Sequence, residues 1–374
     1  MAIRKRTNKN GSISWQITVE GVRDPITGKR ERFYRTVNGT KKQAHAVELE
    51  MLNQLSSGGI QKPTVTRLDH WINNWMDVYN PNIEATTRAG YQEKIDNYII
   101  PTLGHIPISN LTADTIQIWI KSLQEQGLSP RTIKNAYRNL YGSLKKAVEL
   151  RMIPHNPCEG IVLPKIEPYN AQVYNQVEIK AALNAAEGKD IYLLVLLGLA
   201  VGLRRGELGA LKWSNIDLAN GNIHIVENRV SIKGDVLTKK PKSKASYRTV
   251  AIGPTICEIL KTAKAEYEEL RNNYGPGFCK EAYVIHQKDG SPYHPDSITQ
   301  KWDRFMTKNN LKHIRLHDLR HTCATSMIAN NVDVKTVQHR MGHSSCRTTM
   351  DIYAHCTQAM DQNAANIIDS VILP

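Results

Sequence analysis

The sequence predicts a mainly α protein with small β elements, an α+β arrangement spread over more than one domain. Three observations point there. The chain has 374 residues, too many for one ordinary core, so two or three domains are expected. Apolar residues recur at helical spacing through most of the chain beyond residue 64. Strand-like alternation is confined to a few short runs.

Residues 1–63 read as a small sheet-plus-helix module. Ile13, Trp15, Ile17 and Val19 alternate with Ser14, Gln16, Thr18 and Glu20, the period of a half-buried strand. Asp24-Pro25 and Thr27-Gly28 mark a turn, and Arg30 to Val37 reads as the return strand. Thr40 with Gln43 three residues on is a capping-box signature. Ala44, Val47, Met51 and Leu55 then form a helical apolar stripe, and Ser56-Ser57-Gly58-Gly59 opens a linker.

Residues 64–165 read as helical. Leu68, Trp71, Ile72, Trp75 and Met76 are spaced for one helix face, and Pro101, Gly104 and Pro107 interrupt the pattern. Thr112, Ala113 and Asp114 lead into a helix over Ile116 to Leu123. Ser129 as cap, with Pro130 at the first helical position, starts another. Pro154, Pro157 and Pro164 punctuate a linker.

Residues 170–374 form the largest unit. A buried helix over Ile191 to Val201 runs into a Gly-Leu-Arg turn. Ile223 to Ile232 and Tyr247 to Ile252 look like strands, separated by the basic stretch Lys239-Lys240-Pro241-Lys242-Ser243-Lys244. Helices follow. The tail carries Ala359, Met360, Ala364, Ile367, Ile368 and Val371, a partly apolar helix suited to docking on a neighbouring protomer or on its own domain.

The net charge of +14 and a pI near 9.4 point to a polyanionic partner, most often nucleic acid. The alternative is an ordinary enzyme that happens to be basic. Half of that charge sits in residues 1–63, with 12 Lys/Arg against 5 Asp/Glu. A face of the return strand carrying Arg30, Arg32 and Arg35 is a candidate to enter a DNA groove, against the reading of a solvated basic sheet. Arg131, Lys134 and Arg138 on the Pro130 helix are candidates to sit against phosphates, or form a solvated face. The basic start lacks an apolar region after it, so no secretory signal is expected. No apolar run is long enough to span a bilayer, so no membrane partner is expected. Six cysteines without CxxC spacing suggest reduced thiols in a cytoplasmic protein.

The chemistry concentrates in the last quarter, in His317-Asp318-Leu319-Arg320-His321, Met341-Gly342-His343 and Asp351-Ile352-Tyr353-Ala354-His355. Two imidazoles, a guanidinium and a phenol stand together there, and Gly202-Leu203-Arg204-Arg205-Gly206-Glu207-Leu208 supplies a second guanidinium upstream. Fixed positive donors plus a hydroxyl nucleophile suit attack on a phosphodiester. His317 and His321, and likewise His339 and His343, are four apart, so a zinc site is the rival reading. Asp318 stands where such a motif carries Glu, and no metal or other cofactor is expected.

In these pieces, with Pro241-Lys242-Ser243-Lys244 before Tyr247-Arg248-Thr249-Val250, the C-terminal unit resembles the tyrosine recombinases, also called phage-type integrases. Order and spacing match throughout residues 180–357. Met341 stands where Leu is more usual, a volume-conserving change. The layout is similar to three-part integrases of phages and conjugative transposons. That resemblance implies an arm-site binder with a three-stranded sheet plus helix (1–63), a helical core-site binder (64–165) and a tyrosine recombinase catalytic domain (170–374). It implies that Tyr353 attacks the scissile phosphate, giving a 3′-phosphotyrosyl link and a free 5′-hydroxyl. Arg204 and Arg320 would clamp the phosphate, with Arg205 as the alternative to Arg204. His317 would transfer the proton and His343 donate to the phosphate. Lys242, with Lys239, Lys240 and Lys244 close by, would protonate the leaving 5′-oxygen. Glu207 would orient an arginine or cap the turn. The implied partners are double-stranded DNA at attachment core and arm sites, a homotetramer on that DNA, an excisionase and a DNA-bending host protein. The implied place is the bacterial cytoplasm, on the nucleoid. A DNA-binding regulator without cleavage and a monomeric type IB relaxing enzyme are the two other classes that share these features.

Overall fold

The computed structural model describes residues 2–7, 13–23, 30–56, 65–167, 171–240 and 246–343, with Ser345, Met350, Ala365, Ile368, Asp369 and Ile372 beyond them. It is mainly α with small antiparallel sheets, divided into two compact units, Met1–Glu167 and Pro168–Pro374.

In the first unit, β1 (Ala2–Thr7), β2 (Ile13–Arg23) and β3 (Arg30–Asn38) form an antiparallel sheet with β2 in the middle. The β2 alternation buries Ile17 and Val19, which join Phe33 of β3 and Ala44 and Met51 of α1 (Lys41–Ser56) in one core. The Thr40 capping box forms: Gln43 N–H donates to Thr40 Oγ1 at 3.4 Å, and Thr40 N–H donates to Gln43 Oε1 at 2.9 Å. The turn read at Asp24 to Gly28 and the linker from Ser57 lie outside the described residues.

A second core gathers α2 (Leu68–Asn74), α3 (Ala85–Lys94), α4 (Ile100–Leu103), α5 (Ala113–Glu125) and α6 (Pro130–Glu149). Leu68, Trp71, Ile72, Trp75 and Met76 are all buried in it. Thr112 caps α5 and Ser129 caps α6, each accepting from the backbone N–H three residues on at 3.2 Å. The buried indoles keep their N–H groups satisfied: Trp71 donates to Ser143 O at 3.0 Å and Trp119 to Tyr98 O at 2.8 Å.

The second unit holds α7 (Gln176–Ala186), α8 (Tyr192–Ala200), α9 (Arg205–Leu208), β4 (Ile216–Asp217), β5 (Asn222–Ile225), β6 (Asn228–Ile232), β7 (Asp235–Lys239) and β8 (Arg248–Ala251). Then come α10 (Pro254–Tyr274), α11 (Pro295–Lys308), α12 (Leu316–Ala329) and α13 (Val334–Met341). The run Ile223 to Ile232, read as one strand, is two. It breaks at Val226-Glu227, because β5 pairs with β4 and β8 while β6 pairs only with β7. Lys233 and Gly234 carry the β6–β7 turn with φ of 51° and 96°, the left-handed pair that a two-residue hairpin turn needs. In β8 the burial alternates, with Arg248 and Val250 inward and Thr249 and Ala251 outward.

Candidate active site

Arg204 arrives at the end of an apolar path. Buried α8 delivers Val201-Gly202-Leu203, and Arg204 becomes the N-cap residue of α9. Glu207 stands at the third helical position. Its Oε2 accepts from the Arg204 backbone N–H at 2.9 Å, and its Oε1 accepts from Arg204 Nη1 at 2.7 Å. Arg204 Nη2 donates to Gly342 O at 2.7 Å. Arg205 turns away and donates to Asp296 Oδ1 of α11 at 2.8 Å. Arg204, not Arg205, is therefore the one that reaches the His317–His343 cluster.

His317 and Arg320 sit three apart on α12, as their spacing dictates. Arg320 is 2% exposed, and its Nη1 donates to Gly202 O at 2.6 Å and its Nη2 to Met341 O. A surface ion pair is excluded for it. Burial, then the Arg204 charge, pushes its guanidinium down to about 9, still a cation at neutral pH.

α13 ends where these arginines meet. Asp333 caps its start, and Gly342, with φ 63° and ψ 46°, ends it in the left-handed conformation that glycine adopts without a Cβ clash. Met341 is fully buried with Cys323, Ala324, Ile328 and Val337. Three successive carbonyls at this helix end each accept from a different guanidinium. Arg340 O accepts from Arg248 Nε at 2.7 Å, Met341 O from Arg320, and Gly342 O from Arg204. Last-turn carbonyls have no partner within their own helix, so the cations take them and complement the negative end of the helix dipole. His343 follows directly, its N–H donating to Gln338 O at 3.1 Å.

Arg248 was not given a role from sequence. Its signal was its place in alternation with Val250 and Ile252, which puts a guanidinium on the core face of a strand. Its Nη1 and Nη2 donate to Glu207 Oε1 and Oε2 at 3.0 and 2.9 Å. Burial alone would raise the Glu207 carboxyl, but the Arg248 hydrogen bonds and charge, with the Arg204 charge, hold it down at about 2.

Both histidines are neutral at pH 7. Burial, then the Arg320 and Arg204 charges, pushes His343 down to about 3. His317 is exposed by surface area yet crowded by protein at longer range. That crowding, then His321 and Arg320, lowers it to about 4. His317 and His321 pack edge to face, with ring centroids 5.0 Å apart at 86°. Among the described residues no group of three or more His, Cys, Asp or Glu is arranged to hold a metal ion. Lys242 and Tyr353 lie outside the described residues, as does most of the tail.

A cavity of about 620 Å³ lined by Trp213, Glu266, Tyr267 and His286 shares no residue with the arginine cluster. Among the described residues no helix is long and apolar enough to cross a membrane.

The basic residues read as DNA contacts separate by geometry. On β3, Arg30 and Arg32 flank Glu20 at 3.3 and 3.1 Å. Arg35 does not share their face. It stands opposite Ile17 in the register, on the helix side, within 3.8 Å of Glu50 of α1. The strand period of two separates position 35 from 30 and 32. On α6, Arg131, Lys134 and Arg138 recur on the stripe opposite buried Ile133, Ala136 and Leu140.

Residues 172–360 match the phage integrase family, and residues 68–124 match the N-terminal SAM-like domain of phage integrases. A XerC-like tyrosine recombinase of Caldanaerobacter subterraneus subsp. tengcongensis is 29% identical over 397 residues, covering 99% of this chain and 100% of the relative. The ICEBs1 integrase of Bacillus subtilis is 26% identical over 378 residues, with 100% of each chain covered. Among solved structures, a Tn1549 transposon integrase in complex with a circular intermediate DNA superposes with TM-score 0.69 at 20% identity, over 81% of this chain and 99% of that one. A lambda integrase tetramer bound to a Holliday junction gives 0.60 at 20% identity, over 93% and 94%. These structural likenesses concern the fold. With the site and the sequence matches together, the chain belongs to the phage integrase family and is a tyrosine-type site-specific recombinase.

Proposed function

We propose that the protein binds double-stranded DNA at the core and arm sites of a mobile element, of phage or conjugative-transposon type, and integrates and excises that element. The Tyr353 phenol attacks the scissile phosphate, the bond to the 5′-oxygen breaks, and a 3′-phosphotyrosyl link forms. Arg204 and Arg320 hold the non-bridging oxygens with planar, permanently charged forks. Neutral His317 accepts a proton from the phenol, neutral His343 donates its N–H to the phosphate, and Lys242 gives a proton to the departing 5′-oxygen. The phosphotyrosyl bond conserves the phosphodiester energy, so rejoining needs no ATP. Four protomers synapse two sites, exchange one strand pair through a Holliday junction, then exchange the other.

The observation that carries this reading is the meeting of Arg204 and Arg320 at one turn. They reach Gly342 O and Met341 O, beside His343, from positions 138 and 21 residues away in sequence. A three-part division is proposed with it: residues 1–63 on arm sites, 64–165 on core sites and 170–374 in catalysis. The stripe of Arg131, Lys134 and Arg138 is the phosphate-tracking face of the middle part, and Arg30 and Arg32 the groove face of the first. An excisionase and a DNA-bending host protein set direction, and the protein works in the bacterial cytoplasm on the nucleoid.

The test is covalent trapping on a nicked suicide substrate. Tyr353→Phe removes one oxygen and should abolish the protein–DNA adduct while binding persists. An undiminished adduct excludes Tyr353. Arg204→Ala and Arg320→Ala should each slow cleavage about 10²-fold or more, the scale of losing one preorganised donor. Near-normal rates would remove the clamp.

A further inference from the structure

We infer that Arg248 is a positioning residue for the phosphate clamp, acting through Glu207 on Arg204. The inference rests on the reading that Arg204 holds the scissile phosphate. The Arg248 side chain is 1% exposed, so its donors must be satisfied by protein. They are: Nη1 and Nη2 take both oxygens of Glu207 fork to fork, and Nε takes Arg340 O. The same carboxylate holds Arg204, through one side-chain bond to Oε1 and one backbone bond to Oε2. Glu207 is thus divided between two guanidiniums, and the division decides how strongly it draws Arg204.

With Arg248 present, both carboxylate oxygens are already neutralised. Arg204 spends a single N–H on Glu207 and keeps others for an incoming oxyanion. Without Arg248, a carboxylate 4% exposed would have Arg204 as its one hydrogen-bonded cation among the described residues. An uncompensated buried charge is costly, so Arg204 would be pulled onto Glu207 and away from phosphate. The Nε bond adds a second effect. It pins Arg340 O, the first of the three carbonyls whose next two hold Arg320 and Arg204. β8 thereby keeps the end of α13, and His343 after it, in register with both clamp arginines.

The experiment uses the full chain and single-turnover cleavage of a suicide DNA substrate, with DNA affinity and melting temperature measured beside it. R248M should cleave about 10- to 100-fold slower, the scale of misplacing a catalytic group by about an ångström. Its DNA affinity should stay within about threefold of the parent, since two clamp cations remain. The readout that separates positioning from mere structure is the double variant. E207Q/R248M should cleave at least about fivefold faster than R248M, because a neutral amide still accepts from the Arg204 backbone N–H without drawing its guanidinium. A double variant no faster than R248M overturns the inference. If R248M does not fold, R248K decides: it keeps the charge and loses the fork, so folded R248K should cleave several-fold slower. Wild-type cleavage by folded R248K or R248M overturns the proposal. Normal cleavage by R204A would instead sink the clamp itself.

Discussion

Glu207 is a single carboxylate on which two arginines depend, and its titration is correspondingly displaced. Its folded value of about 2 lies below the ordinary 4.5. A depressed carboxylate adds stability that is present above 4.5 and disappears as pH falls through about 2. Burial in a paired site makes the contribution on the order of 3 kcal/mol. Urea unfolding between pH 5 and 2 should therefore show a steep loss for the parent protein and a flatter one for Glu207→Gln. Identical slopes would mean that the carboxylate carries no linkage. His343, lowered to about 3, loses stability in the same direction, because the unfolded chain binds the proton first as pH drops below 6.5. At this scale Glu207 was legible from its spacing to Arg204, whereas Arg248 was not, since its partner lies 41 residues away.

Helix α9 is only one turn long, so its position depends on what it packs against. Gly206 makes that packing close. A Cβ there would run into the Asn228 side chain and the Arg229 backbone carbonyl of β6. Gly206→Ala should cost about 1–3 kcal/mol, the range for overpacking a tight contact. It should also slow cleavage, because Arg204 is the N-cap of the displaced turn. A thermal melt and a cleavage assay on the same sample check both, and an unchanged melting temperature would rule out the contact. Elements with local signals are legible: the Thr40 and Ser129 caps and the Ile17–Val19 face all appear. The strand break at Val226-Glu227 has no Gly or Pro to mark it; its one local signal is the shift of apolar phase from Ile223 and Ile225 to Val226, Val230 and Ile232.

Across the whole molecule, the sheet module and the helical part that follows keep separate cores. Residues 1–63 carry half of the net charge of +14. Deleting residues 1–63 should leave cleavage of a core-site substrate and sharply reduce integration. The salt dependence of DNA binding should also flatten, since fewer phosphates are neutralised. Integration at the parental rate by the truncated chain would contradict an arm-site role.

The sequence alone determined the class of fold, the caps, the strand faces and the family, because each depends on residues within a few positions or on the order of short motifs. Only the tertiary structure showed Arg204 bonded to Gly342 O and Arg205 to Asp296, set Arg35 beside Glu50, and joined Arg248 to Glu207. Periodicity says which side of its own element a residue occupies. It does not say which carbonyl or carboxylate waits opposite, and here that was the end of α13, reached by three arginines from three different elements.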